Sequence, residues 1–198
     1  MLQDVPEKQV NYTCLAYAAL TVMCFAVLNQ FEWIPLQIRV SEALCIIALF
    51  SKNAPVKLLI SCVIANFITM LVFRMYPEGL LNVMCGSITT LLGALWCYHY
   101  RNKALPKALF GFVLFNMLII PAYLPSVIDD PNFYTIPIIH WNVYGDQILM
   151  YVFGVLSIGL SEALVIYGLG FPFANYIKKY VLEMQAQGKA LKSNEQNV

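Results

Sequence analysis

Two stretches, Ser41-Glu42-Ala43-Leu44-Cys45-Ile46-Ile47-Ala48-Leu49 and Ser161-Glu162-Ala163-Leu164-Val165-Ile166-Tyr167-Gly168-Leu169, share the pattern Ser-Glu-Ala-Leu-x-Ile-x-x-Leu. Each sets one carboxylate inside a long apolar run. A carboxylate in hydrocarbon costs several kcal/mol unless it meets a partner or a wet cavity. Both glutamates are therefore candidates for a functional site, and the runs around them decide the fold.

The chain is 60% hydrophobic and 12% charged, against about 25% charge in a soluble domain. Its apolar runs have roughly the 17 to 25 residues needed to cross a bilayer. They predict six helices, at about 12–28, 35–51, 55–73, 80–98, 106–123 and 144–173. The expected class is an all-α polytopic membrane protein, with a single six-helix transmembrane domain over 1–180 and a polar tail over 181–198. Pro35 can open the second helix, which at about 25 Å barely spans. Arg39 and Glu42 stand at i and i+3 there and are expected to pair. The connection from Pro125 to Trp141 is the longest and is stiffened by Pro125, Pro131 and Pro137. The last apolar stretch exceeds one span and is expected to bend near Gly154 or Gly159, with Pro172 disturbing its far end.

Even numbers of crossings place both termini on one side. Ten of the 12 basic residues fall on that side (Lys8, Lys52, Lys57, Arg101, Lys103, Lys107, Lys178, Lys179, Lys189 and Lys192), leaving Arg39 and Arg74 on the other. The positive-inside rule then predicts cytoplasmic termini. No basic leader precedes the first apolar run, so no cleaved signal peptide is expected. The six cysteines are scattered singly and read as small buried hydrophobes rather than disulfide partners or metal ligands.

Placed by depth, Glu42, Asn66, Asn82, Asn116 and Glu162 all fall roughly 6 to 13 Å beneath the outer boundary, on five different helices. Any one asparagine is as readily interhelical glue; the set points to a binding site. Carboxylates accept paired N–H donors strongly. The expected ligand is flat, rich in donors and able to carry a cation, covered from outside by Trp33, Tyr134 or Trp141. There is no phosphate-binding GxxxxGK[ST] loop, no HExxH, no GxSxG and no paired acidic metal motif. No enzymatic role, metal, cofactor or nucleic-acid partner is expected, and uphill transport has to draw on an ion gradient or a partner. Ala16 and Ala19 on the first helix permit close approach of another helix, inside this bundle or from a second membrane protein.

Gln37-Ile38-Arg39-Val40-Ser41-Glu42-Ala43-Leu44, Ala65-Asn66, Gly79-Leu80-Leu81-Asn82-Val83-Met84-Cys85-Gly86-Ser87-Ile88-Thr89-Thr90, Asn116 and Gly159-Leu160-Ser161-Glu162-Ala163 together resemble the QueT family over about residues 36–178. Members are substrate-binding (S) components of energy-coupling-factor (ECF) transporters for queuosine precursors. The resemblance implies an ECF S-component bundle in a bacterial plasma membrane. It implies partnership with a transmembrane coupling protein and two ATPase subunits that use the ATP. It also implies docking through Ala16 and Ala19, and a purine-like deazaguanine ligand held by Glu42, Glu162, Asn66, Asn82 and Asn116, with Arg39, Trp33 and Trp141 nearby. Asn82 stands where the family pattern is expected to carry aspartate, which removes one charge. Nitrile, aminomethyl and queuine forms, and base or nucleoside, all remain open. So does the division of labour between the two glutamates. The alternative from a different class is a self-sufficient proton-coupled carrier of a small planar solute that uses Glu162.

Overall fold

The computed structural model describes residues 5–28, 38–77, 79–127, 131–136 and 141–181. Six helical rods form the bundle: α1 (Glu7–Leu28), a 3₁₀ helix (Val40–Phe50), α2 (Ala54–Val72), a composite rod, α5 (Leu105–Val127) and a long final rod. The composite rod runs from α3 (Gly79–Leu81) through a π-helical turn (Asn82–Gly86) into α4 (Ser87–His99). The final rod runs from α6 (Gln147–Val165) through a second π turn (Ile166–Gly170) and on through 171–181. Among the described residues, five rods are long and apolar enough to cross a membrane: Glu7–Ala26, Ala54–Val72, Gly79–His99, Leu105–Ser126 and Gln147–Val181.

The Val40–Phe50 helix is the shorter one. Its 3₁₀ winding stretches 11 residues to about 22 Å, where an α-helix of that length gives about 16 Å. Nine of its residues are buried, Ser41 to Ala43 and Cys45 to Phe50, so the bundle rather than lipid surrounds its backbone.

Segments 51–53, 73–77 and 100–104 turn the chain between successive rods. Lys57 on α2 binds Glu7 on α1 at 2.8 Å, and the Val5 amide donates to the Phe50 carbonyl at 2.9 Å. The described cations Lys8, Lys52, Lys57, Arg101, Lys103, Lys107, Lys178 and Lys179 therefore collect at one end of the bundle. An apolar core fills the basic half, built on Val10, Tyr17, Cys45, Leu58, Cys62, Phe112 and Ile166. A second, smaller core at the opposite end joins Ile120, Tyr123, Phe133, Tyr134, Met150 and Ile158.

Several boundaries differ from expectation. α1 starts at Glu7, more than a turn before Tyr12. α5 runs through both Pro121 and Pro125, so Pro125 belongs to the helix and not to the connection. Pro121 leaves the Met117 carbonyl without its helical donor. The Tyr151 hydroxyl from α6 donates to the neighbouring Leu118 carbonyl at 3.1 Å, tying α6 to α5 beside that break. The connection itself contains a two-residue antiparallel ladder, β1 (Thr135–Ile136) on β2 (Trp141–Asn142). The final rod departs from α geometry at Ile166–Gly170, not at Gly154 or Gly159. Those two glycines instead admit close neighbours. A Cβ on Gly154 would stand 2.8 Å from Pro121 Cβ, and one on Gly159 3.3 Å from Met117 Cβ. The departure precedes Pro172, whose missing N–H disturbs the ladder there; Phe171 donates five residues back to the Ile166 carbonyl. The tail from residue 182 lies outside the described residues.

Candidate functional site

The two cores are separated by a layer of polar side chains, and the spacing on each rod shows why. On α5, Phe112 belongs to the basic-end core and Ile120 to the other; Asn116 lies one turn from each. On the final rod Ile166 and Ile158 bracket Glu162 in the same way. Glu42 lies one 3₁₀ turn from Cys45, and Asn66 one α turn from Cys62. Asn66, Asn116, Glu42 and Glu162 are 3%, 4%, 3% and 6% exposed, and Asn82 is half-buried. The depth expectation thus gathers these residues into one layer.

The glutamates of the two copies come within electrostatic range of each other in that layer, and just past the second copy the rods approach closely. A Cβ on Gly170 would lie 3.2 Å from Ile46 Cγ2 and 3.6 Å from the Ala43 Cα. Glu162 interacts electrostatically with Glu42 and with Arg39. Arg39 also acts on Glu42, but the expected contact pair is absent; among the described residues the ion pair within 4.0 Å is Lys57–Glu7. Arg39 caps the 3₁₀ helix in an extended conformation, φ −99° and ψ 91°, which takes its side chain off the i, i+3 ladder. It stays half-buried and serves both carboxylates through space.

Glu42 finds its direct partners elsewhere. The Tyr17 hydroxyl on α1 approaches Oε1 at 3.3 Å, and the Cys45 thiol donates to Oε2 at 3.3 Å. The same Tyr17 hydroxyl reaches Cys62 Sγ at 3.4 Å. It has one proton and serves one acceptor at a time. Cys62 Sγ also lies 3.4 Å from Thr90 Oγ1 and 3.3 Å from Asn66 Nδ2. Asn66 Nδ2 reaches the Asn82 carbonyl at 3.3 Å, and Asn82 Nδ2 reaches Asn66 Oδ1 at 3.5 Å. Tyr123 on α5 closes the chain, donating to Asn82 Oδ1 at 3.1 Å. Thr21 fastens α1 to the repeat through Ser41 Oγ at 2.9 Å.

Glu162 is less well provided. The Asn116 side chain approaches it, while Asn116 Nδ2 also donates to the Phe112 carbonyl at 2.9 Å. Glu162 Oε1 is buried without a hydrogen-bond partner. A carboxylate can accept about four hydrogen bonds, and neither glutamate approaches that number.

Tyr17, Tyr123, Cys45 and Cys62 are absent from the sequence reading as site residues. The cysteines read as packing, yet two of them bridge polar groups. Tyr17 carried a signal: a tyrosine amid Cys14, Ala16, Ala18 and Ala19 needs a hydroxyl partner once buried, and it is 0% exposed. Phenylalanine at 17 is expected to destabilise the fold by about 1 to 3 kcal/mol, because Glu42 loses its O–H donor inside the bundle. Chemical unfolding in mixed micelles measures this; an unchanged midpoint means Glu42 does not depend on Tyr17.

Ala16 and Ala19 lie on the exposed face of α1 with Tyr12, Leu15 and Met23, opposite Val10, Cys14, Tyr17 and Thr21. Trp33 lies outside the described residues, and for Trp141 only the backbone pairing with Ile136 is described. Tyr134 is 0% exposed and packs within the opposite-end core against Phe133, Tyr144 and Phe153.

The family model described as QueT transporter matches residues 13–179. That span holds the whole polar layer. No curated protein and no solved structure matches the chain.

Proposed function

The chain belongs to the QueT transporter family, and from that premise we propose that it is the substrate-binding S component of an ECF importer for a queuosine precursor. Membership and the apolar rods make it a multi-pass membrane transport protein. In the proposed reading it resides in a bacterial plasma membrane with cytoplasmic termini. It captures a deazaguanine base at the layer bounded by Glu42 and Glu162. A coupling protein docks on the Ala16 and Ala19 face of α1, and two ATPase subunits supply the energy. The asymmetric gathering of cations at one end supports the orientation.

One observation carries the ligand reading. Two buried carboxylates, Glu42 and Glu162, share one nearby guanidinium, Arg39, and Glu162 Oε1 has no partner. The layer therefore has room for one more positive charge and for several N–H donors. An aminomethyl-deazaguanine supplies both: a guanine-like edge with adjacent N–H groups, and an ammonium. One carboxylate takes the paired donors and the other takes the cation. Asn66, Asn82 and Asn116 meet the remaining ring groups.

Mass spectrometry of ligand released from the purified protein, with calorimetric titration of the aminomethyl base, tests this reading. The expected result is a bound deazaguanine and saturable binding. A protein that releases no such molecule and gives no heat with the aminomethyl, nitrile or queuine bases overturns it. The partnerless Glu162 oxygen also favours the second reading, in which Glu162 is the proton site of a self-sufficient carrier. Uptake into proteoliposomes by this chain alone, driven by a pH gradient, selects that reading; uptake only with the coupling protein and ATPases selects the first.

A further inference from the structure

A hydroxyl in a helix has an acceptor close at hand, the carbonyl one turn back. Four threonines in the described helices use it. Thr13, Thr21, Thr89 and Thr90 donate to the carbonyls of Gln9, Tyr17, Cys85 and Gly86, at 2.9, 2.8, 2.6 and 3.1 Å. Thr69 on α2 does not. It is 2% exposed, and its Oγ1 has no hydrogen-bond partner among the described residues. Threonine has two ready rotamers in a helix because its hydroxyl can make that backward bond; Thr69 forgoes it. A buried hydroxyl without a bond costs folding free energy, and hydrocarbon offers no water to recover it. Ser87 Oγ is also buried and unbonded, but there the Cys62 thiol interacts with it.

The position of Thr69 gives that cost a use. Leu58, Cys62, Ala65, Asn66 and Thr69 lie along the buried face of α2. Asn66 belongs to the polar layer. Thr69 follows it by one turn, on the side away from the basic end, because α2 runs outward from Lys57. Residues three apart on a helix stand about 5 to 6 Å apart at Cβ, so a molecule that touches Asn66 comes within reach of Thr69. The basic-end core takes Ala54, Leu58 and Cys62 from α2, and the opposite core takes no residue from it. Thr69 thus lies beyond the one core and outside the other.

We propose that Thr69 is a ligand-binding residue, whose hydroxyl meets an uncharged polar atom of the ligand on the side away from the basic end. A hydroxyl donates and accepts, so it serves a carbonyl oxygen, a ring nitrogen or an N–H, and it gives up no bond of its own to do so. The inference rests on the transport reading above and adds a contact to the carboxylates and asparagines assigned there.

The test is calorimetric titration of the purified full chain with aminomethyl-deazaguanine and with its nitrile analogue, run beside thermal unfolding. Thr69→Val keeps the shape and the β-branch and removes the hydroxyl. It is expected to weaken both ligands about five- to tenfold, the loss of one hydrogen bond, while the thermal midpoint holds or rises. A hydroxyl that serves only the fold would give the reverse, a lower midpoint at unchanged affinity, and that result overturns the inference. Thr69→Ser restores the hydroxyl and is expected to bind within about twofold of wild type. If Thr69→Val folds and binds both probes with wild-type affinity, the inference is overturned. Should that variant fail to fold, Thr69→Ala with unchanged affinities overturns it. Retained binding in Thr69→Val beside lost binding in a Glu162→Gln control removes Thr69 from the site and leaves the transport reading standing. A wild-type chain that binds neither probe overturns both.

Discussion

Glutamine at Glu162 is expected to weaken binding of aminomethyl-deazaguanine by about 1.5 to 3 kcal/mol, roughly ten- to 150-fold, the range for hydrogen bonds to a charged group. The substitution keeps the shape of the side chain and removes its charge, so it isolates electrostatics from packing. In the unliganded protein the same change relieves a burden. Glu162 Oε1 has no partner, and Glu42 is a like charge within electrostatic range. The thermal midpoint of Glu162→Gln is therefore expected to hold or rise while affinity falls, the opposed signature of a site kept strained for function. Glu42→Gln is expected to lose comparable affinity. Its stability should hold less well, because Tyr17 and Cys45 both donate to that carboxylate. The nitrile base, which lacks the cation, separates the two roles. The variant that loses the aminomethyl ligand but keeps the nitrile marks the ammonium partner. Unchanged calorimetric affinity in both variants would remove the carboxylates from the site.

Alanine at Phe112 is expected to cost about 3 to 5 kcal/mol of stability, the range for removing a buried phenylalanine. Its side chain is 0% exposed and fills the seam between α4 and α5. The ring lies 2.5 Å from where a Gly93 Cβ would be, so the two rods approach through glycine on one side and the ring on the other. Small residues at such seams are how membrane helices close together. The Asn116 side chain bonds the Phe112 carbonyl, and that backbone group survives the substitution. Affinity of the folded fraction is therefore expected to change far less than stability. Chemical unfolding in mixed micelles together with calorimetry distinguishes the two. A variant that keeps its stability would show that the α4–α5 seam is not held by this ring.

The rods were legible because hydrophobic runs of spanning length leave few alternatives in a chain with 12% charge. The polar layer was legible because an asparagine or glutamate in such a run has a depth, and depth follows from counting residues along a helix. Glu42, Asn66, Asn116 and Glu162 accordingly lie one turn from residues of the basic-end core. Azimuth around each rod was not legible, and azimuth decides contact. Arg39 sits three residues from Glu42 but, as an extended cap, does not touch it. Tyr17, 25 residues away, does. Tyr123 meets Asn82 across 41 residues because α5 continues through Pro121.

The repeated phrase states the division most directly. Its residues determined that two carboxylates would be buried in apolar helices, since hydrophobicity and charge are properties of the residues themselves. The backbone around them was decided elsewhere. The first copy is wound as 3₁₀ helix and buried on nearly every side. The second begins in α-helix, enters a π turn at Ile166 and leaves Leu164 and Leu169 exposed. Near-identical local sequence cannot choose between these windings. Each 3₁₀ residue turns about 20° more than an α residue, a difference that neighbouring rods set through close approaches such as Gly170 on Ile46 and Ala43. Tertiary packing thus brought the two glutamates within electrostatic range of each other, and that convergence makes a candidate site from what the sequence supplied as two separate charges.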